Sequence, residues 1–398
     1  MCTKRISYFK AAATVLAMLL LCSCGNNIQT PILNGGEIRA VWLSCYELDF
    51  KDKSEHGFTE SIESIFLKLK NDGFNTVFVH ARSHCDAYYK SEIFPVSAYI
   101  AGEQGAVIDY DPLQIMIDIA KKFELKIHAW VNPFRVSSNT DISAICEENP
   151  AVSMYDKNDN SVVICNQGIY LNPSDTAARK LVLNGIDELL AYDIDGIHID
   201  DYFYPTTDPS FDKPEYTEYC EKAKSHLSLD DWRRKNVDIA VSSIYRKVHL
   251  KNKIFSISPQ ANVQSNYDTM YADVEKWCST EGYTDIIIPQ IYFGFEYELV
   301  YKNQSMQFEK CASYWAELAS KSDIQICYGL GLYRAGESVE LNGEENTEWC
   351  ENSDILSRQY KYCKALAEYN GVAVFSYSSS ETEAGKSEYN NLCNCFTE

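Results

Sequence analysis

The residues best suited to chemistry in this chain sit in polar bursts that each follow a short apolar run. The densest is His198-Ile199-Asp200-Asp201-Tyr202-Phe203-Tyr204-Pro205, where two adjacent carboxylates end a hydrophobic stretch. Similar bursts are Arg82-Ser83-His84-Cys85-Asp86, Asn132-Pro133-Phe134-Arg135, Ser258-Pro259-Gln260 and Gln290-Ile291-Tyr292. Carboxyl groups among amides, guanidinium groups and phenols suit acid–base cleavage of a bond between sugars. One carboxyl must protonate the leaving oxygen, and a second must act as base or nucleophile on the other face of the ring.

Asp200 is the first candidate for that work. Side chains alternate along a strand, so His198, Asp200 and Tyr202 share a side. If His198 points inward, Asp200 stands where the strand ends. Asp201 then points the other way unless the strand has already finished, but it remains a candidate for the catalytic pair. The other possible partners are Glu47, Asp49, Asp86 and Glu296. Asp86 reads either as the second acid or, preferably, as a contact to sugar hydroxyls. His84 is placed like a site residue, His198 like a satisfied core histidine, and His80 and His128 can be either. Asp193 and Asp195 precede the fourth apolar run and belong with residues that stabilise the fold. Trp277 and Trp315 read as helix packing.

The elements that must carry these groups follow from the pattern between them. Eight apolar runs can be counted: Ile38–Leu43, Thr76–His80, Lys126–Val131, Gly196–Ile199, Ile254–Ser258, Asp285–Gln290, Ile324–Leu330 and Gly371–Phe375. Each has the length and composition of a strand buried on both faces. Between them lie helical periodicities such as Ile62, Ile65, Phe66 and Leu69, or Val182, Ile186, Leu189 and Leu190. Eight strand–helix units predict an α/β chain folded as a TIM (β/α)8 barrel, with chemistry at the C-terminal ends of its strands. No G-x-G-x-x-G or P-loop follows the first strand, which disfavours a doubly wound nucleotide-binding sheet. Long stretches at 133–175, 202–230 and 335–350 predict extended loops on the C-terminal face, the first with a small β-hairpin over the cleft. One barrel accounts for residues 37–398.

Composition narrows the partners. Of 398 residues, 36 are Lys or Arg and 57 are Asp or Glu, giving a net charge of −21. Such a surface repels phosphate backbones, so no nucleic-acid partner is expected. The 28 tyrosines suit either sugar stacking or a tyrosine-rich core. None of the 15 cysteines shows C-x-x-C spacing, so no metal site and no cofactor is expected. Mostly free thiols are expected, with room for one or two bridges. At the N-terminus, Lys4, Arg5 and Lys10 flank an apolar run, Ala11 to Cys22, too short to span a bilayer. Leu21-Cys22-Ser23-Cys24-Gly25 resembles a bacterial lipobox. Residues 1–23 are therefore expected to be a signal peptide, Cys24 the lipidated residue and 24–36 a tether. The protein would be exported and lipid-anchored, at the outer face of the cytoplasmic membrane or in the outer membrane.

Several segments together resemble the glycosyl-hydrolase-like 10 family. They are Arg39-Ala40-Val41-Trp42-Leu43, His128-Ala129-Trp130-Val131-Asn132-Pro133, Tyr192 through Pro205, Asp231-Trp232-Arg233-Arg234-Lys235-Asn236-Val237, Phe255 through Pro259 and Pro289-Gln290-Ile291-Tyr292. The resemblance implies a TIM-barrel envelope lipoprotein that cleaves peptidoglycan glycan strands stripped of their peptides. Arg82 and Arg135 would then fix a carboxylate, such as the lactyl group of a muramic sugar, or orient Asp86 or Asp200. Asn132 and Gln290 would meet hydroxyl or N-acetyl groups, or satisfy backbone. Tyr204, Tyr292 and Tyr377 would stack on sugars. The fourth run is also similar to the D-G-x-D-x-D-x-E of family 18 chitinases. Asp195, Gly196 and Asp200 fit, but His198 replaces an Asp and Tyr202 the acidic Glu, so that mechanism does not carry over. The alternative is a non-catalytic glycan-binding or scaffold lipoprotein, because no second acid is obvious.

Overall fold

Strands buried on both faces have no stable place at an exposed edge, and a closed ring removes the edges altogether. The computed structural model describes residues 36–157, 160–341 and 343–397. It places β1 (Ile38–Leu43), β2 (Thr76–Arg82), β3 (Lys126–Val131), β4 (Gly196–Ile199), β5 (Ile254–Ile257), β6 (Ile286–Ile287, resuming at Gln290–Ile291), β7 (Gln325–Gly331) and β8 (Tyr369–Phe375) in one parallel sheet. β8 pairs with β1, which closes the barrel. The expected export segment, Cys24 and the tether up to residue 35 lie outside the described residues.

The helices follow the sequence periodicity. α1 (Glu55–Asn71), α2 (Pro112–Lys122), α3 (Thr176–Leu189), α4 (Leu229–Leu250), α5 (Val274–Ser279), α6 (Phe308–Ala319) and α7 (Ile355–Lys364) connect successive strands, and α8 (Glu383–Asn394) follows β8. Their starts are set by side-chain caps. Ser54, Asp111, Asp175, Ser228, Asp273 and Thr382 each accept a hydrogen bond from a backbone N–H of the first turn. Outward-facing Val41, Val77 and Val79 join the helices in the main core. A separate cluster of Ala40, Trp42, Phe78, Trp130, Ile286, Ile288, Cys327 and Ala373 fills the lumen. Among the described residues no helix is long and apolar enough to cross a membrane.

Three long connections build the upper face. In 133–175 the expected hairpin forms between Val162–Cys165 and Gly168–Leu171, and Arg135–Ser137 adds a third strand. Between the third strand and the hairpin, Asn149 caps a helix over Pro150–Asp156. In 202–230 a helix covers Lys213–Lys222. That loop is clamped by a wholly buried ion pair. Arg233 of α4 donates from Nε to both Asp212 oxygens at 2.9 and 3.1 Å, and from Nη2 to Oδ1 at 2.6 Å. It also donates to Tyr271 and to the Thr207 and Asp208 carbonyls. In the third loop, buried Glu348 accepts from the backbone of Phe295 and Glu296, tying the segments after β6 and β7 together. The twelve cysteines among the described residues are free thiols, and Cys327 lies buried in β7.

Candidate active site

At the C-terminal ends of the strands the barrel opens into a hollow of about 370 Å³, to which every strand contributes. β4 is the key element. Its ladder stops at Ile199, and the chain turns at once, so Asp200 and Asp201 both line the hollow. The expectation that adjacent carboxylates diverge holds only inside a strand, and this strand has ended.

Asp200 is 3% exposed. Its Oδ2 accepts from Trp130 Nε1 at 3.0 Å, and Oδ1 from the Tyr202 backbone at 3.4 Å. Burial, reinforced by the charge of Asp201, pushes its carboxyl well above the ordinary carboxylate range. Asp201 is half-buried. Burial raises its carboxyl too, while hydrogen bonds from Gln260 and Gln290 oppose that rise. Burial of both carboxyls and the charge of Asp201 beside Asp200 thus act in the same direction, against ionisation.

Neutral histidines fix the surrounding rings. His80 Nδ1 accepts from the Cys45 backbone at 2.8 Å, so its Nε2–H faces Asn132 Oδ1 at 3.2 Å. Burial pulls this imidazole down to about 3, which keeps it neutral. It lies flat on Trp130, the donor to Asp200, with ring centroids 3.4 Å apart. Below, Trp42 Nε1 donates to His198 Nε2 at 3.1 Å, leaving Nδ1–H for Ser256 Oγ at 2.9 Å. His198 is thus a satisfied core histidine, held neutral by burial.

The other candidates separate into two groups. His84, Asn132, Arg135, Gln290 and Tyr292 line the hollow with the two aspartates. His84 is braced by Ser83 Oγ on Nδ1. Asn132 spends its amide on His80 and the Ser83 carbonyl. Gln290 Nε2 donates to the Ser258 carbonyl at 2.8 Å as well as to Asp201. Arg135 lies over the Tyr202 ring at 4.7 Å, and its buried Nε has no hydrogen-bond partner.

Arg82, Asp86 and Tyr204 were expected to touch sugar, but the structure places them elsewhere. Arg82 is buried, donating to the Pro133 carbonyl and covering the Phe94 ring. Asp86 is buried and accepts from the His84 backbone, shaping the turn in which Cys85 takes a positive φ of 54°. Tyr204 packs among Phe211, Tyr271 and Arg233. The alternative second acids are also engaged or remote. Glu47 accepts from Ser44, Ser376 and Ser378, which joins the ends of β1 and β8. Asp49 pairs with Lys53, and Glu296 is not among the residues lining the hollow. Asp193 and Asp195 pair with lysines at the opposite end of the barrel. Among the described residues lining the hollow, Asp200 and Asp201 are the carboxylates.

Trp42, Trp130, Tyr333 and Phe375, strand-end aromatics to which the sequence assigns no individual site role, also line the hollow. Trp130 was within reach: it pairs laterally with His198 across β3 and β4 and stands two residues before Asn132.

The model of the glycosyl hydrolase-like 10 family matches residues 37–349. The glycosyl hydrolase YngK of Bacillus subtilis is 30% identical over 360 residues, covering 84% of this chain and 68% of that protein. The glycosyl hydrolase DigH of Escherichia coli K12 is 26% identical over 422 residues, covering 94% and 93%. Among solved structures, an endo-1,4-beta-mannanase from Rhizomucor miehei superposes with a TM-score of 0.53 at 11% identity, over 91% of this chain and 95% of that one. An alpha-L-fucosidase from Paenibacillus thiaminolyticus gives 0.55 at 14%, over 90% of this chain, which spans about half (49%) of the fucosidase. At these identities the superpositions show the barrel fold.

Proposed function

The chain belongs to the glycosyl hydrolase-like 10 family, and from that premise we propose that it is a glycoside hydrolase of the cell envelope, acting on peptidoglycan strands free of stem peptides. One observation carries the catalytic reading. Two carboxyls line the hollow together, and burial and the charge of its neighbour push the deeper one well above the ordinary carboxylate range. Asp200 protonates the glycosidic oxygen as the C1–O bond breaks and the electron pair leaves with that oxygen, and in the net reaction a water oxygen bonds to C1 while its proton passes to the carboxylate pair. Asp201, steadied by Gln290 and Gln260, serves as the ionised partner. The aromatic lining gives sugar rings apolar faces to lie on.

The test is product release. Incubated with purified strands stripped of peptides, the protein should liberate short soluble fragments, and mass spectrometry of their new ends identifies the bond cleaved. Binding without release would favour a non-catalytic glycan-binding lipoprotein instead.

Arg135 supports the muramic-sugar reading. Its guanidinium is held by Tyr202 at the hollow and keeps an unused Nε, a fork suited to the lactyl carboxylate. Arg135→Met should lower kcat/KM on stripped strands by roughly 10- to 100-fold. Binding of chitin oligomers, which lack that carboxylate, should change little. Equal losses on both would remove this role.

Export and anchoring complete the proposal. The lipobox-like sequence ending in Cys24 would place the enzyme beyond the cytoplasmic membrane, held by acyl chains. Radiolabelled palmitate should enter the wild-type protein, and Cys24→Ala should abolish labelling and free the protein from the membrane fraction. Labelling that survives the substitution would refute it.

A further inference from the structure

Beside the hollow that holds Asp200 and Asp201 lies a second one of about 230 Å³. The two share Gln290 and Tyr292, so they are contiguous. Gln260 and Gln290, the amides that hydrogen-bond Asp201, also line the second hollow. Its far wall is an aromatic ladder. Phe293 and Tyr297 stack with centroids 5.3 Å apart at 19°, and Tyr297 and Tyr301 follow at 5.6 Å and 22°. Tyr301 is 41% exposed. Arg334 closes the near side, donating from Nε to the Tyr292 carbonyl.

We infer that this second hollow is a glycan subsite, holding sugars of the same strand beyond the bond that Asp200 and Asp201 act on. The inference rests on the glycan reading of the first hollow and extends it to polymer length. Three observations point to it. Tyr301, exposed at the outer end of the row, and the partly exposed Tyr297 present apolar ring surface on which a pyranose can stack, while the neighbouring amides offer donors and acceptors for hydroxyl or N-acetyl groups. The volume is that of about one sugar ring and its substituents. The shared Gln290 and Tyr292 place this hollow next to the one that holds the carboxylate pair, so a strand lying on the far-wall ladder can continue into the first hollow. Here Tyr297 and Tyr301 are binding residues with no part in bond cleavage.

The experiment compares strands long enough to cover both hollows with fragments that fill only the first. Tyr301→Ala and the double variant Tyr297→Ala/Tyr301→Ala are tested on both. Long strands should show a KM raised by about tenfold, or more for the double variant, with kcat unchanged. Short fragments should show neither change. An unchanged KM on long strands, or equal losses on both lengths, would overturn the inference. Strands that still carry stem peptides separate sugar from peptide recognition. If Tyr301→Ala weakens only peptide-bearing strands, the platform binds peptide and the inference fails. Direct binding of long strands to Asp200→Asn protein keeps this test apart from the hydrolase reading. Binding that depends on Tyr301 while the wild-type protein releases no product would sink the catalytic proposal and leave the subsite standing.

Discussion

Asp200→Asn should abolish the release of glycan fragments and leave the fold at least as stable as the parent. The loss in kcat should be about 10³-fold or more, because an amide cannot deliver the proton that the leaving oxygen needs. Stability moves the other way for a definite reason. The Asp200 carboxyl is pushed up by burial and by Asp201. As pH rises above the unfolded-state value near ~3.9, the unfolded chain releases that proton more readily than the native state does. Native stability therefore declines across the interval between the two pKa values, and the neutral amide escapes that decline. Calorimetry at neutral pH should show a melting temperature equal to or above the parent's, and the advantage should vanish below the unfolded-state value. The parent's activity should follow the same proton. It falls on the alkaline side as Asp200 ionises, and on the acid side as Asp201 takes up a proton at a pH above the usual aspartate range. A variant that is folded and still active would exclude Asp200 from the chemistry.

Arg233→Met should cost about 3–5 kcal/mol of folding stability, since it strands the Asp212 carboxylate in a wholly buried place with its strongest donors gone. The double variant Arg233→Met/Asp212→Leu should recover much of that loss, because two apolar groups require no pairing. Urea denaturation of the four proteins in a double-mutant cycle measures the coupling. If the double variant proves as unstable as the single one, the remaining bonds to Thr207, Asp208 and Tyr271 matter more than the pair. The lesion also reaches the site. Arg233 pins the backbone that leaves Asp201 and Tyr202 for the Lys213–Lys222 helix, so activity at temperatures where the protein is still folded should fall too. Arg233, in a block that carried part of the sequence resemblance, thus acts by holding a loop.

The barrel was legible because its strands are short, continuous and apolar. β1, β3 and β4 begin and end where the pattern of apolar residues places them. β2 and β7 run on past their predicted ends, to Arg82 and Gly331, and the ladder carries them further than hydrophobicity alone implies. The helix at Lys213–Lys222 had a signal in Pro214 at its first turn, but its apolar face is weak and three prolines in the segment suggested coil. At the site, the strand ends identified the right neighbourhoods, and alternation placed Asp200 correctly. What spacing could not show was which polar residues find partners far along the chain. Arg82 reaches Pro133 and Phe94, and Tyr204 is enclosed by Phe211, Arg233 and Tyr271. The direction of Asp201 depended on a single residue of strand length.

Glu47 holds the first strand to the last by accepting from serines more than three hundred positions away. That latch closes a loop of more than three hundred residues, whose chain entropy must be overcome before the contact exists. Until Ser376 and Ser378 arrive, the carboxylate has Ser44 alone among its serine partners to hold. A chain truncated just before Tyr369 would lack the strand that pairs with β1 and should therefore stay open, and docking of the final strand is the event that closes the ring.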